Sequence, residues 1–358
     1  MRKNSISVIT FNSMQLTLSV VSDKSGFGCL EYSAKNVYSG VNKNFFVAPN
    51  EIEGLIVDLI NRYSSFSGKH ISRLTVVLPQ HFFRLIPSVQ SIETKGTVTE
   101  ADIRSLRKRS IEPPLGYVML NETEGGFSVG NEGSFSTDVI GKEGKSVQFL
   151  SVSLALSSNV HELFKNISKN IRMDFSFVPP STPIIEKLNR DGKKRGLILK
   201  INQLSSDLVY FENKLAVSSI SLSYGSFHFV DALAHKFNVG FESAAELLSQ
   251  INLGLSLNDA EYVVSSPLSV KKYSVADANS TLIELLEFWG NETRSAVEGL
   301  VEKADLPIYA IGSSVVKIHG FSEILSSKTG RNVQGVYPDF SAWNTSEEYL
   351  HCALFEKY

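Results

Sequence analysis

"LILKINQLSSDLVYF", residues 197–211, is the stretch on which the reading of this chain turns. Two apolar runs, 197–201 and 208–211, flank a short polar segment, the pattern of strand, tight turn and strand. Many nucleotide-binding proteins hold phosphates at such a turn. They use glycines, whose backbone N–H groups can approach phosphate oxygens, and an acidic residue that holds the metal. This turn has no glycine, and its first strand carries Lys200.

The N-terminal "ISVITFNSMQLTLSVV" has the same form. At a constant offset of 190 residues, Thr10 falls on Lys200, Asn12 on Asn202 and Leu18 on Leu208. Asn tolerates a left-handed backbone better than most residues, which suits it to a turn where glycine might otherwise sit. Two halves that each begin with a similar hairpin are the expectation, not a short-period solenoid.

Between the hairpins, "PNEIEGLIVDLINRY" has apolar residues at helical spacing, with Asn50 and Glu53 placed for a capping box. "RLTVVLP" reads as a buried strand ended by Pro79. From about Ser88 to Leu154 the texture changes to a small α+β insertion, opened by "TEADIRSLRKRS" with Thr99 as its N-cap. A helix follows from about Asn159 to Met173, then "VPPSTP" as a turn and "RDGKKRG" as a charged turn. The second half continues with the helical "FHFVDALAHKF" and "SAAELLSQINL", a long helix from near Ser280, and "LPIYAIGSSVVKIHGFSEIL" as strand, turn and helix.

Composition bounds the function. At 358 residues, 42% apolar and 20% charged, the chain holds two or three core-bearing units and is not broadly disordered. A net charge of −2 argues against a dedicated nucleic-acid binder. Cys29 and Cys352 stand far apart without CxxC spacing, which excludes a disulfide framework and fits a reducing cytoplasm. No apolar run approaches the roughly 20 residues of a membrane span. His228 and His235 share a helix face but have no third ligand at metal spacing, so they read as structural. Arg104, Arg107, Lys108 and Arg109 read as a solvated helix face, with contact to an acidic partner as the alternative.

The order of these segments resembles the bacterial division protein FtsA, a branch of the actin/Hsp70-like fold. "GVNKNFFVAPNEIEGLIVDLINRYSSFSGKHI" is similar to that family's segment after its first hairpin, and "GTVTEADIRSLRKRS" to the start of its inserted subdomain. "SYGSFHFVDALAHKFNVGFESAAELL" resembles its "GG…T.DIA…AE..K" passage, with Gly225, Asp231, Ala232, Ala245 and Glu246 in place. The resemblance implies an α/β chain with an actin-like, ribonuclease H-like duplicated fold: two lobes, with a small α+β subdomain inserted in the first. The expected divisions are 1–83, 157–195 and 335–358 for the first lobe core, 84–156 for the insertion, 196–212 and 289–334 for the second lobe core, and 213–288 for its subdomain.

The resemblance also implies a nucleotide site, and this sequence departs from it there. Where the family's second loop reads "DIGGGTTDIAVY", the chain reads "KINQLSSDLVYF". The metal-linked Asp becomes Lys200, and three glycines become Asn202, Gln203 and Leu204. Ser205, Ser206 and Asp207 keep the hydroxyls and the closing acid. In the first loop, "DIGTSK" becomes "TFNSMQ": Thr10 replaces the Asp, Asn12 and Ser13 lie in the turn, and Gln15 replaces the phosphate-contacting Lys. At the adenosine end, "TGGGSQLPG" becomes "GSSVVKIHG", with Gly312 kept and Ser313, Ser314 and Val315 in the glycine run. Ser249 stands where a Lys is expected after Glu246. An ammonium at Lys200 would repel the Mg²⁺ that a carboxylate holds.

The expectation is therefore a pseudo-ATPase with no cofactor. The competing readings are ATP held at Lys200 without Mg²⁺, and Lys200 paired with Asp207 or a nearby acid. As partners the resemblance implies the C-terminal tail of the tubulin-like FtsZ, bound through residues 213–288, other division proteins, and self-association into protofilaments through the insertion. Its location would be cytoplasmic, at the division site. The family's membrane-binding tail has no counterpart before Tyr358, so membranes would be reached only through a partner or a missing tail; "EEYLHCALFEKY" reads as a last core strand. Two alternatives stand beside this: an active actin-like ATP-dependent polymer protein, and an adaptor like PilM of type IV pilus assembly.

Overall fold

The computed structural model describes residues 5–12, 14–24, 27–42, 45–107, 111–130, 135–136, 138–255, 260–266, 269–301, 305–312 and 314–336. It divides into two compact units, one holding residues 5–195 and 211–218, the other 196–210 and 219–336. The final strand read in "EEYLHCALFEKY" lies outside the described residues.

In chain order the first unit comprises β1 (Ser5–Phe11), β2 (Gln15–Lys24), β3 (Phe27–Val37), the short β4 (Val41–Asn42) and β5 (Phe45–Phe46), α1 (Pro49–Ser67), β6 (Arg73–Val77), β7 (Phe83–Thr97), α2 (Glu100–Arg107), β8 (Tyr117–Val129), β9 (Glu143–Ser157), α3 (Ser158–Ile171), β10 (Asp174–Val178) and α4 (Ser181–Arg190). Its main sheet has the order β10-β6-β1-β2-β3. β1, β2 and β3 form an antiparallel meander, and β6 and β10 join parallel to β1. Alternation along β1 and β2 sends Ile9, Phe11, Leu16, Leu18 and Val20 into one core with Ile52, Ile56 and Leu59 of α1 and Val160, Phe164 and Ile167 of α3. β7, β9 and β8 make a separate three-stranded antiparallel sheet. α2 closes one end of it through Ile103 and Leu106 against Phe127 and Phe149.

The chain then runs through β11 (Arg195–Ile201), β12 (Ser206–Glu212), β13 (Leu215–Leu222), α5 (Phe227–Phe237), α6 (Phe241–Gln250), β14 (Glu261–Ser266), β15 (Ser269–Ser274), α7 (Val275–Leu300), β16 (Ile308–Gly312), α8 (Phe321–Thr329) and β17 (Val333–Gly335). The sheet order is β13-β12-β11-β16-β17, with β16 parallel to β11 and β17 parallel to β16. That is the order of the first sheet, strand for strand. The repeat expected from the two hairpins is thus a repeat of whole sheets. The core of the second unit gathers Leu197, Leu199 and Leu208 of the sheet with Phe229, Leu282, Trp289 and Phe321 of the helices.

Local details differ from the sequence expectations. α1 has no side-chain cap: Ala48 is its N-cap and Pro49 opens the helix. The capping box expected from Asn50 and Glu53 does not form, because Glu53 accepts from Asn170 Nδ2 at 2.9 Å instead. At α2 the expected cap is present, with Thr99 N donating to Asp102 Oδ2 at 2.8 Å and Asp102 N to Thr99 Oγ1 at 3.3 Å. "STPIIEKLNR" is a helix, α4; its prolines sit in the first turn, where a missing N–H costs little. α7 starts at Val275, earlier than expected, because Ser274 caps it by accepting from Asp277 N at 3.2 Å.

Candidate functional site: two hairpins with the same turn

Each hairpin turn is closed by the same bond. Asn12 N donates to Gln15 O at 2.9 Å, and Asn202 N donates to Ser205 O at 2.9 Å. With the offset of 190, these are equivalent atoms. The strand positions before and after the turns are equivalent too: Thr10 faces Thr17 across β1 and β2, and their counterparts are Lys200 and Asp207. All four side chains are buried.

In the second unit the charged pair is joined by the turn asparagine. Lys200 Nζ donates to Asn202 Oδ1 at 2.7 Å, Asn202 Nδ2 donates to Asp207 Oδ2 at 2.9 Å, and Ser221 Oγ donates to Asp207 Oδ1 at 2.7 Å. Lys200 is 5% exposed and Asp207 2%. Asn202 links Lys200 to Asp207, and Ser221, a residue that no sequence pattern marks, also donates to Asp207. A carboxylate satisfied by two neutral donors beside a buried ammonium is the compensation that buried charges require.

The backbone of this turn is tied to the start of α5. Ser226 N donates to Asn202 O and Phe227 N to Gln203 O, both at 2.9 Å. Ser206 Oγ donates to Tyr224 O at 2.6 Å. Gly225 allows this approach, since a Cβ there would lie 2.4 Å from Gln203 O and 2.6 Å from Ser205 N. Gln203 and Leu204 are exposed at the tip and Ser205 is half-buried. The first turn is held by Tyr38 instead: its hydroxyl donates to Asn12 O, and Tyr38 N donates to Met14 O at 3.1 Å. Burial, with Glu51 nearby, pushes the Tyr38 phenol far above the ordinary tyrosine range. Gln15 is exposed; Ser13 lies outside the described residues.

Gly312 ends β16 at φ 132°, and a Cβ there would stand 2.1 Å from Ile201 O, so this glycine serves close packing of two strand ends. Ser313 lies outside the described residues. Beyond it, Val315 and Val316 are buried in the core of the second unit. Glu246 and Ser249 are on the exposed side of α6, where Ser249 Oγ donates to Glu246 O at 2.6 Å. His228 Nδ1 lies 3.2 Å from Gly225 N and His235 pairs with Asp231 at 3.5 Å, and no group of metal-binding side chains occurs among the described residues. Arg107 meets Glu124 at 2.7 Å and lies over the Phe127 ring, whereas Lys108 and Arg109 are outside the described residues.

No protein-family model matches the chain, and no curated protein does. Solved structures do match. The PilM–PilN type IV pilus biogenesis complex is similar over 98% of this chain and 98% of that one, with TM-score 0.59 and 16% identity. The ethanolamine utilization protein EutJ from Carboxydothermus hydrogenoformans covers 99% of this chain and 91% of its own, with TM-score 0.56 and 13% identity. MreB5 of Spiroplasma citri bound to ADP covers 99% and 95%, with TM-score 0.55 and 10% identity.

The chain has an actin-like ATPase fold. At these identities the likeness carries the fold alone. The fold implies ATP with Mg²⁺, and the residues present do not match that pair. A buried lysine stands where the resembled family has its metal-linked Asp, the backbone N–H groups of Ser226 and Phe227 at the start of α5 are already spent on turn carbonyls, and Leu204 projects from the tip where glycine would leave the backbone bare.

Proposed function

We propose that this protein is an actin-fold adaptor that binds partner proteins and does not turn over ATP. The observation that carries the reading is the network Lys200–Asn202–Asp207–Ser221, which puts a cation of the protein's own where the resembled family has a metal-linked carboxylate. A binding role needs no phosphate chemistry. The motif order favours a role like that of FtsA in bacterial division. Its partners would be the FtsZ C-terminal tail, held by residues 213–288, other division proteins, and further copies through the insertion, at the division site. No helix among the described residues is long and apolar enough to cross a membrane. Stable attachment there would run through a partner or a tail.

A second reading is an adaptor like PilM, favoured by the likeness to the PilM–PilN complex over nearly all of both chains. It would bind a short segment of a membrane protein. Calorimetric titration with ATP, with and without Mg²⁺, tests what the two share: no heat at hundreds of micromolar ATP is expected. Micromolar binding that persists without Mg²⁺ would overturn the reading and make Lys200 a phosphate ligand. Titration with the FtsZ tail peptide then separates the two; its failure to bind removes the FtsA-like partner.

A further inference from the structure

The charged turn "RDGKKRG" is held firmly beside a second cationic turn. At the end of α4, Gly192 takes φ 76°, Gly192 N donates to Asn189 O at 3.0 Å and Lys193 N to Leu188 O at 2.8 Å, the bonding of a glycine-terminated helix. Asn213 N donates to Lys194 O at 2.7 Å, which fastens the β12–β13 turn to the same spot. Lys193, Lys194, Arg195 and Lys214 are all exposed there, and among the described residues none of the four is in an ion pair. Of the acids beside them, Asp191 is already engaged by Lys187 at 3.3 Å.

Two features set this patch apart from an ordinary solvated face. The favourable interaction of cations with a helix C-terminus accounts for Lys187 and Arg190 in the last turn, but not for Lys193, Lys194 or Lys214. Lys214 has φ 72° after Asn213 at φ 48°, in a two-residue turn whose second position strongly favours glycine. A lysine kept in that conformation is a strained choice, and such choices cluster where a side chain is used.

We propose that these two turns dock the protein on an anionic lipid surface. The patch is built from turn tips, its apolar neighbours Leu188 and Leu215 are buried, and neither turn has a large exposed apolar side chain. Cationic tips without a pocket or an apolar anchor suit a flat field of headgroup charge better than a peptide, which needs a groove or a buried anchor residue. The contact is weak, salt-sensitive and additional to any partner, because electrostatics alone does not anchor a protein stably.

Cosedimentation of the full chain with vesicles tests this. The protein should partition onto vesicles containing phosphatidylglycerol at low salt, release as salt rises, and ignore pure phosphatidylcholine. The triple variant Lys193→Gln/Lys194→Gln/Lys214→Gln should lose on the order of a hundredfold in partitioning, about fivefold per charge. Lys214→Gly should lose about fivefold with its Tm unchanged or raised, which a purely structural role for Lys214 would not give. Equal retention on both vesicle types, or full retention of the triple variant, overturns the proposal. So does capture by poly-glutamate beads without lipid binding, which would assign the patch to an acidic protein segment.

Discussion

The two hairpins solve one structural problem in opposite ways. Both close the turn with an asparagine N–H, and both bury the flanking strand positions. In the first unit those positions are Thr10 and Thr17, neutral and small; in the second they are Lys200 and Asp207. The first turn is held by the hydroxyl and the backbone N–H of Tyr38, whereas the second is held by two backbone N–H groups at the start of α5. A duplicated scaffold thus tolerates either loss of charge or a lysine linked to a carboxylate through an asparagine where the resembled family has a metal-linked carboxylate. The turn geometry belongs to the fold, and the chemistry does not.

The largest expected difference between the halves is electrostatic. Asp207→Ala removes the buried carboxylate that Asn202 links to Lys200 and should cost about 4 kcal/mol, by the magnitudes seen when one member of a buried charged network is deleted. The equivalent change, Thr17→Ala, should cost only about 1 kcal/mol. Urea unfolding of the two variants measures this; equal losses would mean that Lys200 and Asp207 act independently. Next comes packing. Gly225→Ala forces a Cβ against the backbone of Gln203 and Ser205 and should cost about 3 kcal/mol, because backbone on both sides cannot yield as a side chain would.

The first turn should respond less and show a pH signature. Tyr38→Phe removes one hydrogen bond and should cost about 1 kcal/mol near neutral pH. The folded-state pKa of Tyr38 is raised above the ordinary value near 10, so its contribution is fully present below about pH 10. As pH rises further the unfolded chain releases this proton and the folded chain holds it, so stability falls by about 1.4 kcal/mol per pH unit for the one group. Burial also raises Tyr309 and Tyr273. The variant should therefore lose stability less steeply than the parent in alkaline solution, by about one proton's worth. Identical slopes would show that Tyr38 ionises freely.

Much of this comparison was legible in the sequence, for physical reasons. An asparagine at the same place in two apolar strand–turn–strand segments is a local signal, and the turn bond is local too. The partners of those turns were not legible. Tyr38 is 26 residues from Asn12, and Ser221 is 14 from Asp207, so nothing in spacing marks them. Gly225 and Gly312 match the resembled family's pattern in sequence, and the pattern alone does not reveal how closely they approach this chain's own backbone at Gln203 and Ile201. α4 was hidden by Pro179, Pro180 and Pro183, which mark a turn in sequence but fit a helix start in three dimensions. Asn50 and Glu53 carry a capping pattern without the cap, because Pro49 already fixes the first turn and Glu53 has a partner in α3.

The smallest effects should come from the turn tips, and they sharpen the comparison most. Met14 and Leu204 are equivalent at the offset of 190, and both are about half exposed, at 49% and 52%. Met14→Gly and Leu204→Gly should each change stability by less than about 0.5 kcal/mol, as surface substitutions do. If missing glycines alone had closed the site, Leu204→Gly would restore some ATP binding. It should not, because the N–H groups of Asn202, Ser226 and Phe227 stay engaged within the turn and Lys200 keeps its place. Calorimetry on that variant decides the point: heat with ATP would mean that the tip side chain, rather than the buried lysine, excludes the nucleotide.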